Sequence, residues 1–346
     1  MIESRKEDHM KISLREDVEV KKNYWNEIDF YHRAAPEIDF DEIDLSTEFL
    51  GVELEAPLII AGMTGGYEGA LDFNKELASA AENTGIGFGV GSQRAAIENP
   101  DLKKSYEAVS SYSVPLVFGN LGAPQLVSQD GEDPFTISDA KKALDMIDGD
   151  FLAVHFNYLQ EAVQPEGDLK AEGVLDALKS LSSEVPTIAK ETGAGVSTQM
   201  ALAFRDAGVR AIDVGGKGGT SFSAVEHYRN KDKEMKEISK NLWDWGIPTP
   251  ASLMHCRGAV SLPLIATGGI KNGIEVAKAI AMGADVAGIA GGVLRAFDDE
   301  KISVVDYIEK IKKELKITMF LLGCSQVEDL LQIKKVVKND LKAWID

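Results

Sequence analysis

The sequence predicts an α/β fold: a closed (β/α)8 TIM barrel, residues 51–346, behind an N-terminal extension, residues 1–50. Three observations carry this expectation. Eight short apolar runs each end in a small or polar cluster, amphipathic stretches separate them, and most recur at intervals of roughly 25 to 35 residues. Near-continuous apolar runs mark parallel strands buried on both faces, and eight of them fit a closed barrel of about 250 residues better than an open doubly wound sheet.

Taken in order, the extension ends in DLSTEFLGVELEAP, which predicts a short hairpin ahead of the barrel. The barrel strands are expected to begin near Leu58, Ile86, Val114, Phe151, Pro186, Ala211, Leu262 and Asp285. Helix starts lie between them. Asn99-Pro100 puts a cap before a first-turn proline, Ser138 and Ser197 precede apolar-periodic runs, and Asn272 sits three residues before Glu275. Ser303 with Asp306, and Ser325 with Glu328, predict two further C-terminal helices. KETGAGVS and IATGGIKN share a strand, a Thr-Gly turn and a helix start, as repeated βα modules would. Ser221 to Ser252 is long for one connection, and its charged middle, RNKDKEMKEISK, is expected to be a solvated helix or mobile loop.

Composition narrows the function. Lys and Arg number 37 against 56 Asp and Glu, a net charge of −19, and such a surface repels nucleic acid and anionic membranes. No run of about 18 apolar residues offers a membrane span, and the opening MIESRKEDHM lacks a signal-peptide core, so the expected location is the cytoplasm. Cys256 and Cys324 have neither CxxC spacing nor neighbouring histidines, which excludes a zinc ribbon, a thioredoxin motif and a disulfide framework.

In a barrel of this kind the reactive groups gather at the C-terminal ends of the strands. Here those tips are Thr64, Ser92, Asn120, His155 with Asn157, Lys190, the Gly215 to Thr220 turn, Gly268-Gly269 and Ala290-Gly291. The late glycine-rich turns either permit tight backbone or let main-chain N–H groups approach a phosphate beside a helix N-terminus. Lys190 ends a buried strand, where a lone ammonium needs an anion, either a bound ligand or a neighbour such as Glu191. A phosphate corner facing a cation suits flavin mononucleotide, with Thr64, Ser92 and Asn120 at the ring edge. No GxGxxG opens a Rossmann unit. Glu161, beside His155, Asn157 and Gln160, is a candidate for holding Mg²⁺ together with diphosphate oxygens.

At these residues the sequence resembles the type 2 isopentenyl diphosphate isomerases, FMN-dependent enzymes of terpenoid precursor synthesis. The likeness runs through Arg5-Lys6 with His9, MTGG at Met63, GSQR at Gly91, HxNxxQE at His155 to Glu161, KETG at Lys190, GGT at Gly218, WGIPT at Trp245, TGGI at Thr267 and AGG at Ala290. The resemblance implies FMN contacts from Met63, Thr64, Gly65, Ser92, Asn120, Lys190, Thr220, Gly268, Gly269, Ile270, Ala290 and Gly291. It implies a substrate diphosphate held by Arg5, Lys6, His9, Ser92, Gln93, Arg94, His155, Asn157 and Gln160, with Glu161 on Mg²⁺ and catalytic roles for Gln160, His155 and Lys190. It also implies NADPH or NADH as flavin reductant and a homo-oligomer, tetramer or octamer. Two departures stand out: Gly215 where many members have serine, and Phe222 where tryptophan is common.

Two other readings remain open at this stage. One is an FMN oxidoreductase of the hydroxy-acid oxidase or dehydrogenase type, for which His255 and Arg257 offer a base and a carboxylate clamp. The other is a non-catalytic FMN-binding barrel. Arg5 and Lys6, with no evident structural partner, are expected to form a poorly ordered tail that closes over substrate.

Overall fold

The computed structural model describes residues 2–67 and 69–345. Ahead of the barrel lie β1 (Ile28–Phe30) and a hairpin of β2 (Thr47–Phe49) and β3 (Val52–Leu54). The barrel strands follow as β4 (Leu58–Ile60), β5 (Gly87–Gly89), β6 (Val117–Gly122), β7 (Phe151–Phe156), β8 (Thr187–Glu191), β9 (Ala211–Asp213), β10 (Leu264–Thr267) and β11 (Val286–Ile289). All neighbours pair in parallel and β11 closes on β4, so the eight predicted strands form the predicted barrel. After the barrel, β12 (Lys335–Val337) pairs antiparallel with β1 and ties the two ends of the chain together.

The predicted hairpin is the plug of this barrel. Its turn places Leu50 at φ 54° and Gly51 at φ 82°, the double left-handed geometry of a tight two-residue hairpin. Phe49 and Leu54 then join Ile59, Phe118, Ile188 and Ile265 in one buried cluster at the end where the strands start. With that end filled by apolar side chains, the opposite, C-terminal end is left for polar chemistry.

Ser197, Asn272 and Ser303 cap helices as the sequence predicts, each accepting from the backbone N–H three residues on. Two caps move. Thr136, not Ser138, starts the helix Ile137–Asp145, because the Thr136–Asp139 capping box begins two residues earlier and leaves Ser138 in the first turn. Gln326 with Asp329, not Ser325 with Glu328, starts the next C-terminal element. Asp329 gathers the Ser325 and Gln326 N–H groups, and the segment Val327–Gln332 winds as a 3₁₀ helix. Asn99 likewise caps a 3₁₀ turn, Pro100–Leu102.

The charged connection folds into two helices, Phe222–Arg229 and Lys233–Asn241, and the second buries only Ser239. The solvated-helix reading therefore describes its second half. At the other end of the chain, Arg5 and Lys6 lie in a helix, Ile2–Arg15, instead of a loose tail. No helix among the described residues is long and apolar enough to cross a membrane.

Candidate active site

Strand register assembles the centre of the site. His155 pairs with Lys190 across β7 and β8, and Lys190 pairs with Asp213 across β8 and β9, so three adjacent strands deliver these side chains at one level. Above them lie two adjoining cavities. The first, of about 210 Å³, is walled by Gly215, Gly216, Gly219, Gly268, Gly269 and Gly291, with Met63, Thr64, Thr220, Ile270 and Ala290. The second, of about 120 Å³, is polar and is lined by Arg5, Ser92, Arg94, Asn120, His155, Asn157, Gln160 and Glu161. Lys6, His9, Met63, Lys190, Thr192 and Phe222 line both.

The glycine wall is held by backbone packed on backbone. Gly268 and Gly269 have φ of 129° and 77°, and a Cβ on either would lie 2.3 Å from a carbonyl oxygen, of Gly216 and Gly218 respectively. The turns after β9 and β10 thus interlock, and glycine is needed for that contact whatever binds beside it. Gly291 is different: the nearest atom to its Cβ position is Arg295 Nη1 at 3.6 Å. It opens the helix Gly291–Asp298, whose start at Ala290 has no side-chain cap. Uncapped N–H groups and a positive helix end on a glycine wall suit a phosphate. The buried Thr64 hydroxyl has no hydrogen-bond partner, which suits the edge of a bound ring. The residues present therefore fit a flavin mononucleotide.

Lys190 finds its anion within the barrel. Its ammonium donates to Asp213 Oδ2 at 2.6 Å, and Asp213 also accepts from Thr267 Oγ1 at 3.0 Å and Gly215 N at 3.2 Å. Glu191, the alternative partner, turns instead to the N–H groups of Gly193, Ala194 and Gly195. Burial pushes the Glu191 carboxyl up to about 7 against those donors. The sequence reading missed Asp213, although a carboxylate inside the apolar run AIDVG was a usable signal.

His155 Nδ1 lies 2.7 Å from Asn120 Oδ1, and Asn120 Nδ2 donates to Val90 O at 3.0 Å. That second bond fixes the amide, so Nδ1 carries the donated proton. Burial first, then the charges of Lys190 and Lys6, lower the imidazole to about 3, and the ring is neutral. His9 is held by Glu226, a fully buried carboxylate 2.7 Å from its Nε2 that also accepts from Arg229. Glu226 was not legible, being 217 positions from its partner.

Three expected site residues do structural work. Gln93 is completely buried and lines neither cavity: its amide donates to Ala143 O at 2.7 Å and accepts from Asn120 N at 2.9 Å, a strut beneath β6. Gly65 also lies outside both. A Cβ there would meet the Tyr106 ring at 2.2 Å, so glycine makes room for that tyrosine. Lys6 spends its three donors on Gly65 O, Ser92 O and Tyr106 Oη at 2.7, 2.6 and 3.0 Å, which pins the N-terminal helix to the barrel and removes the reason for a loose tail. Burial, with Arg5 next, brings its ammonium down to about 7.

Arg94 does reach the polar cavity, yet Glu98, Glu132 and Asp168 surround its guanidinium at 2.7, 2.5 and 2.5 Å. Glu161 is buried there too, accepting from Asn157 Nδ2 at 2.8 Å, from Asp168 N at 2.9 Å and from Gln164 Nε2. Burial raises its pKa. On either side, Asn157 Oδ1 and Gln164 Oε1 are buried without donors. Both amides turn their nitrogens, not these oxygens, to Glu161, so what this cavity offers a hard cation is the Glu161 carboxylate. No group of three or more His, Cys, Asp or Glu among the described residues forms a self-sufficient metal site, so further oxygens would come with the substrate.

His255 and Arg257 are elsewhere. His255 bonds to Trp344 O at 2.9 Å, Arg257 pairs with Asp285 at 2.6 Å, and neither lines a cavity.

Residues 159–336 match the family described as FMN-dependent dehydrogenase. The isopentenyl-diphosphate delta-isomerase of Thermoplasma acidophilum is 46% identical over 349 residues, covering 100% of this chain and 99% of its own. That of Archaeoglobus fulgidus is 47% identical over 345 residues, covering 99% and 98%. The chain belongs to the type 2 isopentenyl-diphosphate delta-isomerase family. A putative lactate oxidase of Pediococcus acidilactici superimposes with a TM-score of 0.65 over 96% of this chain and 87% of its own, at 16% identity, a likeness of fold alone.

Proposed function

We propose that this chain interconverts isopentenyl and dimethylallyl diphosphate by moving a proton across the three-carbon unit, with reduced FMN and Mg²⁺. The observation that carries the reading is the pairing of cavities: a glycine-walled one fitted to a mononucleotide, and beside it a polar one lined by cations together with Glu161. When bound, reduced FMN supplies the acid–base group that an unactivated alkene requires.

The chain's own residues do the rest. Lys190, steadied by Asp213, is the cation for an electron-rich ring edge. Arg5, His9 and His155 face the diphosphate, while Lys6 anchors the helix that carries Arg5. An anion arriving beside His155 offsets the charges of Lys190 and Lys6, which after burial hold the imidazole neutral, and so raises its affinity for a proton. Glu161, steadied by the amide nitrogens of Asn157 and Gln164, would hold Mg²⁺ against the same diphosphate. Gln160 lines this cavity, its carbonyl accepting a 3.3 Å bond from Asn157, and steadies the proton in transit. Met63, Phe222 and the pinned N-terminal helix keep water off the alkene.

The reaction has no net redox change, so NADPH or NADH serves only to reduce the flavin. The test is a count. Anaerobic enzyme, once reduced, should convert many substrate molecules per reductant and incorporate solvent deuterium at the protonated carbon. One reductant consumed per product, sustained over many turnovers, would establish an oxidoreductase instead. Nothing at His255 or Arg257 favours that second reading, since both lie off the site.

A further inference from the structure

The segment that follows the N-terminal helix crosses the glycine-walled cavity as a strap. Val20 N donates to Gly219 O at 2.9 Å and Ser221 N to Val18 O at 2.8 Å, so Glu19 forms an antiparallel bridge with Thr220 in the turn after β9. Trp243 Nε1 donates to the Glu19 carbonyl at 2.8 Å. Val18 and Val20 are buried on one side, Val18 against Ala224 and Val225, and alternation sends the Glu19 side chain to the other side, where it lines the cavity.

There its carboxylate bridges two cations from different βα loops: Lys271, after β10, and Arg295, in the helix after β11 at 3.3 Å. Both also line the cavity. The place in the cavity is set by Gly291, since Arg295 Nη1 and Thr220 Oγ1 lie 3.6 and 3.9 Å from its Cβ position. The Glu19 bridge therefore stands across the corner with the uncapped helix start, the corner fitted to a terminal phosphate.

A bridge of this kind is more than is needed to hold one phosphate, because it spends a carboxylate where only cations are wanted. Its effect is to close the far side. A ligand ending in a monophosphate stops short of the bridge and meets the glycine N–H groups. One that continues through a second phosphate into a nucleoside has to break the Glu19 ion pairs and displace the strap.

Building on the FMN reading, we infer that Glu19, through its bridge to Lys271 and Arg295, is the residue that makes this chain select a flavin mononucleotide over a flavin adenine dinucleotide. It acts as a steric stop beyond the phosphate, fastened by its two ion pairs.

The experiment titrates full-length apoprotein with FMN and with FAD, following quenching of flavin fluorescence and confirming by equilibrium dialysis, for the parent, Glu19→Ala and Glu19→Gln. The parent should prefer FMN by about a hundredfold or more, roughly the worth of two tenfold steps in affinity. Glu19→Ala should narrow that preference at least tenfold, mainly by admitting FAD. Glu19→Gln, which keeps the bulk and loses the charge, should fall between. An FMN-to-FAD ratio unchanged in both variants overturns the inference, including the case in which both affinities fall together. A parent that binds neither flavin would instead overturn the FMN reading, so the two failures are distinguishable.

Discussion

Replacing Asp213 by Asn tests the centre of the site, because it removes a charge from the floor of the cavity while keeping the shape. The Lys190 and Asp213 side chains are 10% and 5% exposed and 2.6 Å apart, a pair with little water to screen it. Removing one partner of a buried pair costs about 3–5 kcal/mol, mostly the penalty of an uncompensated buried charge. Asn retains an acceptor for Lys190, so the low end, about 3 kcal/mol, is expected. At about 2 °C per kcal/mol for a chain of this length, the apoprotein should melt about 6 °C below the parent. A bound anionic ring would return part of the missing charge, so the deficit should shrink when the protein carries reduced FMN. Differential scanning fluorimetry on apo and FMN-reduced protein measures both. An apo variant melting within about 1 °C of the parent would refute the view that Lys190 depends on Asp213.

Three further outcomes follow from the other titrating groups. Glu161→Gln should lose activity and its Mg²⁺ dependence together while the flavin spectrum stays normal; because burial raises this carboxyl, the metal-free variant should also melt at or above the parent. Unaltered activity and metal response would place the cation elsewhere. Glu191 binds a proton more tightly folded than unfolded, so its contribution to stability is present below about pH 4.5 and is lost as pH rises through about 7. Glu191→Gln should flatten the melting-temperature profile across that window, and an identical profile would refute the assignment. Diphosphate binding should raise the proton affinity of His155, so that as pH falls below about 6 the calorimetric heat comes to depend on buffer ionisation enthalpy, a dependence that His155→Gln abolishes. Heats equal in all buffers would show that the ring stays neutral in the complex.

What was readable along the chain follows from the range of the interactions that specify it. A barrel strand is a run of apolar residues ending at glycine or a polar tip, and a helix start is a cap with a partner three residues on; both are local. The eight strands and the caps at Ser197, Asn272 and Ser303 were therefore legible. So was the cluster His155, Asn157, Gln160 and Glu161, which one strand end and its following turn carry together. Where two local signals competed within a few residues, as at Thr136 and Ser138, the better-formed capping box decided, and pattern alone picked the wrong serine.

The sequence by itself determined the architecture, the end of the barrel that carries chemistry, and most residue types in the site. Only the tertiary structure decided what each charge does. Lys190 is satisfied by Asp213 through a strand register, His9 by Glu226 across the length of the barrel domain, Lys6 by two backbone carbonyls and a tyrosine, and Arg94 by three carboxylates. Apart from Glu98, four residues from Arg94, those partners lie tens to hundreds of residues away in the chain, and a buried charge is governed by whichever group the fold brings within a few ångströms of it. That distance is a property of packing, and no local pattern encodes it.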